Sequence, residues 1–312
     1  EGEIRAFHNT CRHRGSRLVR QPEGKLKAKA LACPYHLWLY DLTGQLIRTP
    51  KSQRACDFDV ADYPLYAVKL HDYRGFLFVC LADEPPDFDQ VFDPNKEALA
   101  NWPLEELVLG HREELALGCN WKIFWENFNE CYHCPHVHPS LSKLMPIYTR
   151  AISSQKDDAD WEAHADSEDP LWRGGVRDGA GTWSTDGIPQ GPGFPNLTPA
   201  ERRHGVKFQV GLPNVYLVGH PDYLRAVSMS PVGPEETKLT VEWFFAPDSL
   251  ADPAFDKQKI IDFGLTVIRE DGDVSELNQQ GLKALPHRAG VLMPQEYSLK
   301  AFHDWVEERI AS

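Results

Sequence analysis

The chain has 312 residues, 42% of them apolar and 25% charged, and its 33 basic against 46 acidic side chains give a net charge of −13. The length favours two domains, and the apolar share is that of an ordinary globular protein. So acidic a surface repels nucleic-acid phosphates and anionic membranes, which excludes both as expected partners.

No apolar run is long enough to span a bilayer, and Glu1-Gly2-Glu3 does not read as a signal peptide, so the expected location is the cytoplasm. The seven cysteines form no even disulfide pattern and read as a reduced set. Residues 1–83 read as short strands and turns. Leu31-Ala-Cys33, Leu37-Trp-Leu-Tyr40 and Phe76-Leu-Phe-Val79 are strand-like, with turns at Thr43-Gly44 and Tyr73-Arg-Gly75. Cys80 closes an apolar run as a small core residue. Glu84-Pro-Pro-Asp87 breaks the pattern and places the expected boundary between domains 1–83 and 84–312.

A helix-rich stretch follows, with a helix predicted over 120–133. The polar region from Asp157 to Pro199 carries Trp161, Trp172 and Trp183, and a loop of that length is functional or mobile. Strands are expected at Val206–Gly211, Val215–Gly219, Leu224–Ser230 and Lys238–Ala246, joined by short turns into an antiparallel meander. Helices over 253–283 and 295–310 close the chain.

Two ligand constellations stand out. In the first, Cys11-Arg-His13 is followed, after nineteen residues, by Cys33-Pro-Tyr-His36. Two thiolates and two imidazoles in paired tight loops suit an iron–sulfur cluster with sulfur ligands on one iron and nitrogen on the other. The ligand types also allow a zinc ribbon. In the second, Glu130-Cys-Tyr-His133 is followed by His138. On a helix over 120–133, Glu126, Glu130 and His133 share a face with Asn127 beside an apolar stripe, an arrangement that calls for a cation. Pro135 disrupts the ladder and can swing His138 back towards His133. His136 reads as a surface or supporting group, and Cys131 and Cys134 as packing residues.

Further on, Ile260, Gly264, Val267, Asp271, Val274 and Asn278 repeat at helical spacing. Asp271 interrupts this inner stripe, while Glu270 and Asp273 fall off it. A lone inward carboxylate needs a counter-charge, and with two histidines it would complete a mononuclear iron site with open positions.

Phe7-His-Asn-Thr-Cys-Arg-His-Arg-Gly15 and Cys33-Pro-Tyr-His36, with Trp38, resemble the Rieske motif of the Rieske non-haem iron oxygenases, large (α) subunit. Asn120-Trp-Lys122, Glu126-Asn127, Glu130-Cys-Tyr-His-Cys-Pro-His-Val-His-Pro139 and the segment around Glu270-Asp271 resemble the catalytic domain of the same family. The resemblance implies an α+β protein. An all-β Rieske domain, lacking its first strands, precedes a catalytic domain whose antiparallel sheet is flanked by helices in helix-grip fashion.

The resemblance implies a [2Fe–2S] cluster on Cys11, His13, Cys33 and His36, with the cysteines on one iron and the histidines on the other. It implies Fe(II) on His133, His138 and Asp271, with Glu130 as the bridging acid, Asn127 beside it and O2 as co-substrate. Electrons would come from NAD(P)H through a flavin/iron–sulfur reductase or ferredoxin, in a homotrimer where the cluster of one subunit serves the iron of the next. Family members carry strands and a helix ahead of the position of Glu1, so a longer reading frame is expected. The family has Gly where this chain has Leu37, a poor residue for positive φ.

The wording lies nearer the betaine/choline-type monooxygenases and demethylases than the ring-hydroxylating dioxygenases. The expected substrate is a quaternary ammonium or N-methyl compound, with an aromatic ring as the alternative. Phe208, Tyr216, Tyr223, Trp243 and Trp183 are the expected pocket aromatics. An electron carrier without oxygenase activity, or a zinc-stabilised binding protein, are the readings of another class.

Overall fold

The computed structural model describes residues 2–26, 28–50, 57–92 and 97–311, leaving out the side chain of Gln90. Cys56 lies outside the described residues. The chain forms two compact units, Glu1–Phe88 and Asp89–Ser312, dividing five residues after the expected boundary.

In the first unit, β1 (Ala6–Phe7), β5 (Ala67–Tyr73) and β6 (Phe76–Cys80) make one antiparallel sheet. The second sheet contains β2 (Ala30–Ala32), β3 (Leu39–Asp41) and β4 (Leu46–Arg48). A small core joins Cys11, Cys33, Trp38, Tyr40, Leu46 and Leu65. Cys33, Leu37 and Trp38 are not strand residues as expected. The chain turns on itself there, Leu37 N–H donating to the Cys33 carbonyl at 3.0 Å and Cys33 N–H to that of Trp38 at 2.8 Å. Those groups are therefore unavailable to a ladder.

The second unit holds a five-stranded antiparallel sheet in the order β7-β11-β10-β9-β8. Its meander is β8 (Lys207–Gly211), β9 (Val215–Gly219), β10 (Leu224–Gly233) and β11 (Glu236–Phe245). The turn residues between them marked it correctly. The expected helix-rich start is corrected by β7 (Val108–Leu117), which pairs along β11 from Thr237 to Phe245. Its His-Arg-Glu-Glu run hid it, because an edge strand with a wet face tolerates charges that a central strand would not.

Helix Trp121–Phe128 and the long helix Lys257–Gly281 pack on this sheet through Phe124, Trp125, Ile260, Val267 and Ile268 against Tyr216, Val227 and Trp243. That is the expected α+β architecture of a sheet gripped by helices. The stripe on the long helix is buried from Ile260 to Asp271, then shifts to Ser275 and Gln279 while Asn278 is exposed. Gly264 marks a close approach, where a Cβ would stand 3.0 Å from the Trp243 ring. The region 157–199 forms short helical turns and is stapled to the sheet. Asp222 accepts from Thr182 Oγ1 at 2.6 Å and from Gln190 N–H at 2.9 Å, and Tyr223 Oη donates to the Trp183 carbonyl at 2.9 Å.

Candidate metal centres

In the first unit the two ligand loops are near copies. Gly15 N–H donates to the Cys11 carbonyl at 2.9 Å, as Leu37 N–H does to that of Cys33. The residue closing each turn has positive φ, +72° at Gly15 and +58° at Leu37. Both cysteines are buried, and the Cys11 thiol lies 3.2 Å from Tyr40 Oη. Burial disfavours a Cys33 thiolate, but N–H groups of Tyr35 and His36 outweigh it and hold the thiol below its usual range. The histidines bring Nδ1 to within 3.2 Å of Nδ1, and the His13 ring stacks on Trp38. Two buried sulfurs on one side and two converging imidazole nitrogens on the other fit a cluster with dissimilar irons.

Leu37 therefore holds the conformation for which glycine is suited, with 67% of its surface exposed and little packing to lose. Left-handed backbone costs a non-glycine residue about 1 kcal/mol. Leu37→Gly is expected to raise the stability of this unit by about that amount, seen as a later denaturation midpoint at unchanged slope. An earlier midpoint would show that Leu37 contributes contacts instead.

In the second unit, helix Trp121–Phe128 ends five residues before the predicted position. Glu130 and His133 thus lie on the following loop rather than on one helical face. Glu126 turns away and accepts from His303 Nε2 at 3.0 Å. Pro135 occupies the first turn of a short helix, Cys134–Val137, instead of breaking one, and its fixed φ suits that place. His138 caps this helix and opens the next, Pro139–Leu144. The single short helix between them brings the histidines together, and His136 stays exposed.

Asp271 reaches them from the long helix. His133 Nε2 lies 3.2 Å from His138 Nε2, and Asp271 Oδ1 lies 3.4 and 2.8 Å from these nitrogens. Metal–nitrogen bonds of about 2.1 Å at right angles separate ligand atoms by about 3.0 Å, so the three atoms fit one face of a metal ion. Carboxylates hold both distal nitrogens: Glu130 Oε1 is 2.5 Å from His133 Nδ1, and Glu270 Oε2 is 2.8 Å from His138 Nδ1. Such partners fix the ring and tautomer of a ligating histidine. Glu270 went unread because it lies one residue off the inward stripe, and its long side chain reaches round the helix.

The Cys134 thiol also lies within 4.8 Å of the imidazole nitrogens. Its hydrogen bond with Cys131, together with burial, drives its pKa far up, so it stays a thiol and a packing group. Asn127 Nδ2 stands 3.4 Å from both ring nitrogens of His133, and its buried Oδ1 has no partner among the described residues.

The charge balance at this centre asks for a cation. Burial opposes a charged His133, but hydrogen bonds to Asp271 and Glu130 outweigh it and push the pKa up to about 10. Burial likewise opposes an ionised Asp271, yet the two histidines hold it below its usual value. Protons here stand where a metal would. A metal must displace the His133 proton, so affinity is expected to rise with pH below about 10, roughly tenfold per unit per proton. Anaerobic Co(II) competition titrations from about pH 6.5 to 8.5 measure this, and a flat profile would contradict it.

The triad opens onto a cavity of about 430 Å³, its mouth included, lined also by Phe128, Tyr148, Trp183, Phe208 and Arg225. Trp183 and Phe208 are the expected aromatics found there. Tyr216, Tyr223 and Trp243 are instead fully buried in the core, committed to packing behind the cavity wall.

Residues 1–66 match the family model of the Rieske [2Fe-2S] domain, and residues 104–312 match that of the ring hydroxylating alpha subunit (catalytic domain). The chain belongs to the Rieske oxygenase alpha-subunit family. The glycine betaine monooxygenase oxygenase subunit of Chromohalobacter salexigens is 30% identical to it, over 100% of this chain and 74% of that protein. The chloroplastic choline monooxygenase of Beta vulgaris is 25% identical, over 99% of this chain and 64% of that one. Among solved structures, a quaternary ammonium Rieske monooxygenase covers 97% of this chain and 78% of its own, at a TM-score of 0.69 and 21% identity. Naphthalene 1,2-dioxygenase from Rhodococcus sp. shares the fold, at a TM-score of 0.70 and 18% identity over 98% and 81% of the two chains.

This Rieske oxygenase subunit is thus an oxidoreductase that incorporates molecular oxygen, and its family carries a [2Fe–2S] cluster and a non-haem iron. No described helix is long and apolar enough to cross a membrane.

Proposed function

We propose that this chain monooxygenates a quaternary ammonium or N-methyl compound, with N-demethylation as the most direct outcome. One observation carries the reading: His133, His138 and Asp271 converge at the base of an aromatic-lined cavity. The names of its relatives, glycine betaine and choline monooxygenases, support the substrate class. Trp183, Phe208, Phe128 and Tyr148 offer the ring faces that attract an alkylammonium.

In this proposal Cys11 and Cys33 hold one iron of the cluster, His13 and His36 hold the other, and His133, His138 and Asp271 hold Fe(II). When bound, the iron supplies the oxygen chemistry and the cluster supplies electrons one at a time. The protein's own share is positional. Glu130 and Glu270 hold the two Nδ1 atoms, so both rings present Nε2 to one point, and Asn127 lies against the His133 ring. The aromatic walls orient an N-methyl group and exclude bulk water. Oxygen inserted into an N-methyl C–H bond gives an N-hydroxymethyl group, which breaks at C–N to release formaldehyde. The second oxygen atom leaves as water, with two electrons from NAD(P)H and two protons.

Electrons arrive from a flavin/iron–sulfur reductase or ferredoxin, and the working assembly is a homotrimer with Glu130 between one subunit's cluster and the next subunit's iron. The test is NADH-driven oxygen uptake over a panel of N-methylated amines and aromatic acids, with formaldehyde as second readout. Uptake coupled to formaldehyde supports the proposal, whereas turnover confined to unmethylated arenes sinks it.

A further inference from the structure

Strand β10 carries a charge among apolar neighbours. Arg225, within Leu224-Arg-Ala-Val227, is 1% exposed and lines the same cavity as the triad. Its Nε and Nη1 are buried with no hydrogen-bond partner among the described residues, and no ion pair there involves it. Tyr223, Asp271 and Tyr148 act on it through space only. The other buried carboxylates lining or flanking this site are matched: Asp271 by His133 and His138, Asp222 by Thr182 and the backbone N–H groups of Gln190, Gly191 and Asp222 itself.

A guanidinium taken out of water without a partner is a costly feature to maintain. The geometry looks built for it. The long helix has glycine at 264, where a Cβ would lie 3.2 Å from Arg225 Nη1, and the Trp183 ring stands 5.7 Å from the guanidinium. Gly264 and Asp271 are seven residues apart, about 10 Å along the helix axis, so Arg225 sits further along the cavity wall from the triad. One small molecule can reach both ends. The planar fork of donors on arginine matches the two oxygens of a carboxylate bidentately.

We infer that Arg225 binds a carboxylate on the substrate, which makes that substrate a small zwitterion with its N-methylated ammonium at the metal end and its carboxylate at the arginine end. The ammonium half rests on the function proposed above, and the carboxylate half does not. Glycine betaine has such a carboxylate, whereas choline carries a neutral hydroxyl in its place.

The test is anaerobic calorimetric binding of glycine betaine, choline and benzoate to the metal-loaded protein and to Arg225→Gln and Arg225→Lys. Wild type is expected to prefer glycine betaine over choline by at least ~30-fold, the lower range for losing one partner of a buried charge pair. Arg225→Gln should collapse that ratio and Arg225→Lys should restore part of it. Equal binding of choline and glycine betaine to wild type overturns the assignment, and so does an equal loss for both ligands in Arg225→Gln, the mark of a merely structural arginine. The wild-type comparison decides even if the variants do not fold. Benzoate binding that depends on Arg225, without glycine betaine binding, keeps the carboxylate assignment and defeats the N-methyl reading.

Discussion

Asp271→Ala is expected to remove the mononuclear iron while leaving the cluster in place. Among the described residues Asp271 Oδ1 is the one carboxylate oxygen facing both Nε2 atoms, and its residue is 4% exposed, so water cannot readily take over its charge. Losing it drops metal affinity and turnover each by on the order of 10³-fold. Metal analysis should then give two irons per chain instead of three, with an unchanged visible spectrum from the cluster. The buried histidines also lose one of the two carboxylates that hold each pKa up, so the metal-free variant should release protons at lower pH than the parent. The sign follows from the raised pKa. The stabilising contribution of His133 is complete below about pH 6.5 and is lost as pH rises through its folded value near 10. In the variant that alkaline loss should shrink but not vanish, because Glu130 still accepts from His133 Nδ1. Full iron retention by Asp271→Ala would refute the assignment.

Glu130→Gln is the second change with a large expected effect, and of a different kind. Gln keeps an acceptor for His133 Nδ1, so both metal centres should remain loaded, but it removes the charge. Orientation alone is worth 10- to 100-fold for such a supporting partner, roughly. If Glu130 also links one subunit's cluster to the next subunit's iron, turnover falls further while the cluster still accepts electrons. Stopped-flow mixing of the reduced protein with oxygen and substrate separates the two: a cluster that stays reduced marks a broken transfer step. Normal cluster reoxidation with reduced substrate oxidation would confine Glu130 to holding His133.

The proposed donor set could be read from the sequence because its spacings are local. Cys11 with His13, Cys33 with His36, and His133 with His138 each lie within one or two turns of chain, where residue type and backbone constraint dictate the outcome. Even there the mechanism needed correcting. Helix Trp121–Phe128 stops before Glu130, and Pro135 begins a helix rather than ending one, yet the histidines still converge. Leu37 shows the reverse case. The residue type argues against positive φ, and the turn shared with Cys11–Gly15 imposes it all the same, since the hydrogen bond to the Cys33 carbonyl outweighs the local strain.

By itself, then, the sequence determined the proposed ligand types, the two-part organisation, the meander and the long helix that carries Asp271. Periodicity and turn chemistry are properties of short segments and survive any packing. The tertiary structure alone decided which carboxylate supports His138, which aromatics line the cavity rather than the core, and that β7 completes the sheet. It also decided that Arg225 is buried beside the triad with Nε and Nη1 unbonded among the described residues. Each of these depends on which distant side chains share a desolvated space, because charge compensation and burial are set by three-dimensional neighbours, not by spacing along the chain.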